Sequence, residues 1–204
     1  MKQFPVKQDI EGVEVRREVI MGIQAVLDSN IIKHKGISTK DFDLDLEEDK
    51  SWYPLKNLID LFDHLATHGG PSVLQRVGEE VTKQVPRPES IKNARLALEN
   101  ANKSYHMNHR RDGKELYDYE NECIIEGGIG HVRLVIDREN ETADYVCGSF
   151  YPSDFDLGMA KQILKIFGNN FLAALSVKRD ESKPSRLKGG DTCTFNLNYR
   201  LMKL

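Results

Sequence analysis

The chain has 204 residues, 39% hydrophobic and 30% charged, so it can build a core beneath a heavily charged surface. Its 29 Lys and Arg against 32 Asp and Glu leave a net charge of -3, which supplies no general attraction to nucleic acid. No stretch approaches the roughly 18 consecutive apolar residues of a membrane span, and the opening Met-Lys-Gln-Phe-Pro-Val-Lys-Gln-Asp has no apolar run of the signal-peptide kind. A cytoplasmic protein without a membrane span is expected. Cys123, Cys147 and Cys193, an odd number in a chain this long, do not read as a disulfide framework.

Val13, Val19, Ile20, Ile23, Val26 and Leu27 recur on one helical face and predict a helix over 13–29, ended by Ser29-Asn30. The acidic connection Asp41-Phe-Asp-Leu-Asp-Leu-Glu-Glu-Asp49 follows. Leu55, Leu58, Ile59, Phe62, Leu65 and Ala66 predict a second helix, opened by Trp52-Tyr53-Pro54 and stopped by Gly69-Gly70. Pro71 suits the first position of a third, because its missing N–H would be unpaired there in any case. Val73, Leu74, Val77, Val81 and Val85 carry that helix to Pro86. A fourth begins near Ser90, shows Ile91, Ala94, Ala97, Leu98 and Ala101 on one face, and runs toward Tyr105.

Beyond about residue 115 the period changes. Cys123-Ile-Ile, His131 to Asp137 and Tyr145 to Phe150 read as short strands, with turns at Gly127–Gly130 and Arg138–Glu141. Ser153 is an N-cap candidate for a helix to Phe167, with Asp154 and Asp156 in its first turn and Gly168 just past its end. Phe171 to Val177 reads as another strand. Cys193, Phe195, Leu197 and Tyr199 alternate with polar residues and predict a half-buried one. One α+β domain over 1–204 is expected: N-terminal helices packed on a mainly antiparallel sheet interrupted by one helix.

Asp41, Asp43 and Asp45 match the first ligand positions of a calcium loop, but Leu46 stands where glycine must turn the chain. Trp52 stands where a bidentate glutamate must close the sphere, so calcium is rejected. Gly127-Gly-Ile-Gly130 precedes a strand rather than a helix, and reads as a tight hairpin rather than a phosphate cradle.

Tyr105-His106-Met107-Asn108-His109-Arg110 holds the densest functional side chains. If the helix continues, His106 and His109 share a face and could hold a transition metal, with His131 as a third ligand. Equally, the histidines and Arg110 could hydrogen-bond an anion or cap the helix C-terminus. Trp52-Tyr53-Pro54 serves either core packing or the wall of an apolar pocket. The cysteines read as small buried hydrophobes, and Asp154 and Asp156 as favourable charges at a helix start.

Several segments together resemble a known family. These are Trp52-Tyr-Pro-Leu, the Gly78-centred helix, Tyr105-His-Met-Asn-His-Arg110, Tyr151-Pro-Ser-Asp-Phe-Asp156 and the closing Gly189-Gly-Asp-Thr-Cys-Thr-Phe195. Over about residues 50–200 the chain resembles the bacterial 4-vinyl-reductase-like sensor domains, which share a broad fold with haem-NO-binding sensors and TRAPP trafficking subunits. In that comparison residues 1–49 form an added helix and acidic connection.

The resemblance implies a ligand-binding or interaction module, often a homodimer, whose ligands lie between helices and sheet. The Tyr-x-Ser-x-Arg motif of the haem branch is absent, and the C-terminal cysteine cluster of the zinc-binding branch is reduced to Cys193, with Cys147 well before it. The cofactor is therefore unknown, with haem and a transition metal disfavoured. The expectation is a non-enzymatic, small-molecule-binding regulatory domain with Trp52, Tyr105, His106, His109 and Arg110 at its site. With no output domain attached, it is expected to signal through a protein partner or its own assembly. The alternatives are a structural interaction module and a haem or metal protein.

Overall fold

The computed structural model describes residues 9–28, 36–84, 89–167 and 177–202, and these form an α+β fold. In chain order the elements are β1 (Val13–Arg16), α1 (Arg17–Leu27), β2 (Trp52–Pro54), α2 (Leu55–Gly69), α3 (Pro71–Gln84), α4 (Ala94–Met107), β3 (His109–Arg111), β4 (Lys114–Glu115), β5 (Tyr117–Asp118) and β6 (Cys123–Ile124). They continue with β7 (Val132–Asp137), β8 (Thr142–Cys147), α5 (Ser153–Phe167), β9 (Lys178–Arg179) and β10 (Cys193–Leu197).

The first segment departs from expectation. Val13 and Val15 are buried and Glu14 and Arg16 partly exposed, the period-two pattern of a strand, and the helix starts only at Arg17. β1 is central to a sheet of order β2-β1-β3-β4, paired antiparallel with β2 and β3. Trp52-Tyr53-Pro54 is therefore a strand and not the opening turn of α2. The backbone of Trp52 and Tyr53 is matched to Arg16 and Val15 instead. Likewise α4 ends at Met107, so His109 and Arg110 lie on β3 and do not continue the helix. That helix starts at Ala94, later than Ser90, because the Asn93 side chain accepts from the Leu96 N–H and caps it.

The helices α2, α3 and α5 follow their apolar stripes, and Pro71 is the first residue of α3 as the sequence predicts. α3 and α5 touch through backbone. A Cβ built on Gly78 would lie 2.1 Å from the Phe155 carbonyl oxygen, and one on Gly158 would lie 2.0 Å from that of Gln75. Only glycine permits so close an approach at both places.

The second sheet has the order β7-β8-β10-β9, all antiparallel. Its alternation puts Tyr145, Cys147, Cys193 and Phe195 in the interior. The expected hairpin at Gly127–Gly130 does not form, because β6 pairs back onto β5; the glycine loop instead links that small hairpin to β7. Gly130, at φ 76°, brings its Cα against the Gly148 carbonyl. Cys123, expected to be buried, is exposed on this hairpin. The strand read over 171–177 falls, but for Val177, outside the described residues, as do Ser29-Asn30, Val85-Pro86 and Gly168.

Two apolar clusters result. One joins α1, α2 and α3 to the first sheet; the other joins α4 and α5 to the second. α5 bridges them, giving Phe155 to the first and Leu157, Ala160, Ile163 and Leu164 to the second. Among the described residues no helix is long and apolar enough to cross a membrane.

Candidate functional site: a buried polar seam

Asp156 occupies the apolar stripe of α5, four residues before Ala160 and seven before Ile163. A carboxylate there requires a partner. Arg186, from the short turn Arg186–Lys188, supplies it through Nη2, and its side chain has no solvent exposure. Arg186 Nη1 also donates to the carbonyls of Ser149 and Tyr151, the latter at 2.6 Å. The Ser149 hydroxyl donates to both Asp156 oxygens at 3.1–3.2 Å. Burial pushes the Asp156 carboxyl up, while the Arg186 charge and hydrogen bonds from Arg186 and Ser149 pull against it. Burial also works against the guanidinium, but Asp156 and the two neighbouring thiols hold its proton more firmly than water does. Arg186 Nε is buried with no hydrogen-bond partner among the described residues.

From Tyr151 the seam runs on to the end of α4. The Tyr151 hydroxyl lies 2.9 Å from His109 Nε2, and His109 Nδ1 lies 2.6 Å from the Tyr105 carbonyl. A carbonyl only accepts, so Nδ1 carries the proton. Burial lowers the His109 pKa to about 4, so the ring is neutral and Nε2 accepts from Tyr151. The Tyr105 hydroxyl donates to the Ile129 carbonyl at 2.9 Å and accepts from the Phe150 N–H at 3.1 Å. Burial raises both phenols, so each stays protonated. Phe62 and Phe155 close the seam on the helical side.

Two thiols meet the other end. Cys193 Sγ accepts from the Arg186 N–H at 3.4 Å and lies 3.6 Å from Ser185 Oγ. Burial alone would raise its pKa, but the Arg186 charge and the hydrogen bonds of Ser153, Ser185 and Arg186 bring it below the ordinary thiol value. Burial pushes the Cys147 thiol well up.

The five residues expected at one site occupy three places. Tyr105 and His109 belong to the seam. His106 stacks on His131 at 5.0 Å and bonds through Nδ1 to the Asn102 carbonyl. His131 Nε2 faces Glu126 at 3.2 Å. Both His106 and His109 thus bond a carbonyl four residues earlier, the helix-capping alternative. Among the described residues no three His, Cys, Asp or Glu side chains are placed to hold a metal ion. Trp52 and Arg110 lie on the outer face of the first sheet. There the guanidinium carbons of Arg16 and Arg110 lie 4.7 and 4.8 Å from the centre of the Trp52 ring. Arg110 is already engaged, donating twice to Glu14 at 2.6 and 2.8 Å.

Sequence reasoning missed Arg186 and Ser149 and assigned Asp156 to the helix dipole. The available signal was a carboxylate aligned with Ala160 and Ile163 on an apolar stripe. A surface cleft of about 220 Å3, lined in part by Gln24, Thr39, Lys40, Asp45 and Glu47, lies apart from the seam, and its Lys40 is paired to Asp45 and Glu47. No protein-family model matches the chain, and no curated protein matches it.

Proposed function

We propose that the chain is a cytoplasmic, non-enzymatic regulatory domain that senses a small molecule at the buried polar seam. The observation that supports this is the fully buried Arg186, whose Nε has no acceptor among the described residues while its other nitrogens grip Asp156 and two carbonyls. A buried charge network is rarely more stable than apolar packing of the same volume. It does offer a ligand with an anionic or accepting group a ready exchange of partners. Such a ligand would act by favouring one arrangement of the Arg186 turn over another. The neutral His109, the protonated tyrosines and the paired Asp156 are hydrogen-bonded to protein, which argues for recognition rather than proton transfer.

The test is the native mass of freshly purified protein against its denatured mass. A small excess lost on denaturation, and absent from a folded Arg186→Lys variant, is the expected result. Equal masses, together with no thermal shift in a panel of small anions, would defeat the proposal.

A second reading, a homodimeric interaction module, is favoured by the half-buried Trp52 with two arginines against its ring, since Trp and Arg dominate the energetics of protein interfaces. Trp52→Ala should then convert a dimer into a monomer by light scattering. A dimer indifferent to that change removes this face from the interface.

A further inference from the structure

Cys147 and Cys193 stand directly opposite each other on the neighbouring strands β8 and β10. The Asp180 N–H donates to the Thr194 carbonyl and the Gly148 N–H to that of His131. Thr194 therefore turns its backbone toward β9 and Gly148 toward β7, so Cys193 and Cys147 turn theirs toward each other. Such a pair holds its Cα atoms about 5.5 Å apart, within the span a disulfide bridges. Both thiols are free and buried on the same face of the sheet. The turn at Ser185–Gly190 packs on Cys193 through Ser185 and Arg186, and Asp191, two residues before it, is exposed.

We propose that Cys147 and Cys193 are a redox-modification site, closing to a reversible disulfide on reaction with a peroxide. The fixed positive charge of Arg186 and the donors around Cys193 favour its thiolate and make it the attacking sulfur. That thiolate attacks one oxygen of hydrogen peroxide, the O–O bond breaks, and the departing hydroxide leaves as water with the proton the thiol gave up. Cys193 is then a sulfenic acid. The Cys147 sulfur attacks it, the S–O bond breaks, and the second hydroxide leaves as water with the Cys147 proton. Two thiols and one peroxide give one disulfide and two waters. Across a hydrogen-bonded strand pair the bond is strained, which makes it the readily reduced kind. Closing it draws Cys193 Sγ from the Arg186 N–H, so oxidation reaches the turn that carries the buried guanidinium. The exchange requires no ligand in the seam, so it stands or falls separately from the sensing role.

The experiment uses the full chain with Cys123→Ser, which removes the exposed thiol. Protein treated with excess hydrogen peroxide, then denatured and alkylated, should be lighter by two alkyl groups than protein alkylated without peroxide, since the two thiol hydrogens are lost in both. Dithiothreitol should restore both adducts. With Cys147→Ser added, dimedone should label Cys193; with Cys193→Ser added, Cys147 should stay unlabelled. Full alkylation of both thiols after peroxide, or sulfinic acid at Cys193 with no disulfide while Cys147 is present, would overturn the proposal.

Discussion

Two arginine–carboxylate pairs in this molecule are chemically alike and physically opposite. Arg186–Asp156 has side chains 0% and 3% exposed, whereas Arg110–Glu14 has 27% and 26%. The outer pair keeps much of its hydration, and its guanidinium also covers the Trp52 ring. The inner pair is shut off from solvent and, among the described residues, is compensated by Ser149, Tyr151 and the opposing charge. The lesson is that the inner pair is costly to break without being a large source of stability, while the outer pair is cheap either way.

Removing one partner at a time breaks this comparison most sharply. Asp156→Ala should cost roughly 3–5 kcal/mol in urea unfolding, because it strands a buried guanidinium, while Glu14→Ala should cost about 1 kcal/mol or less. The double change Asp156→Leu with Arg186→Met should recover part of the loss; a double variant no more stable than the worse single one would contradict this account.

His109 titrates near 6.5 when unfolded and about 4 when folded, so the unfolded chain binds the extra proton as pH falls between them. Stability contributed above pH 6.5 is therefore lost progressively toward pH 4, by roughly 2–4 kcal/mol. Urea midpoints across that range should fall, and His109→Gln should flatten much of the slope. Gly158→Ala, which drives a methyl into the Gln75 carbonyl, should cost about 1–3 kcal/mol or more. A small effect also belongs outside: Trp52→Leu, which keeps an apolar cover but loses both cation contacts, should cost about 1–2 kcal/mol by the same measurement.

The same division governs what the sequence disclosed. α2, α3 and α5 are legible because each repeats its apolar stripe over three or more turns, and β10 because Cys193, Phe195 and Leu197 alternate cleanly. The first sheet was not, since β1 to β4 are two to four residues long. Val13 fits the spacing of the helix that follows as readily as the alternation of β1. The candidate site was legible in single residues, Tyr105 and His109, but not as a site. Its bonds join Tyr105 to Ile129, His109 to Tyr151 and Asp156 to Arg186, separations at which no local period survives. Trp52 and Arg110, expected at one site with Tyr105 and His109, meet each other on the opposite surface of the sheet.

The glycine contacts between α3 and α5 have a mechanical meaning. Where carbonyl oxygen meets Cα there is no side chain to change rotamer and absorb a displacement, so the two helices behave as a bolted joint rather than a sliding one. Phe155, whose carbonyl bears on Gly78, is the residue next to Asp156. A displacement of that carboxylate, such as one passed through Arg186, is thus delivered to α3 with almost no slack.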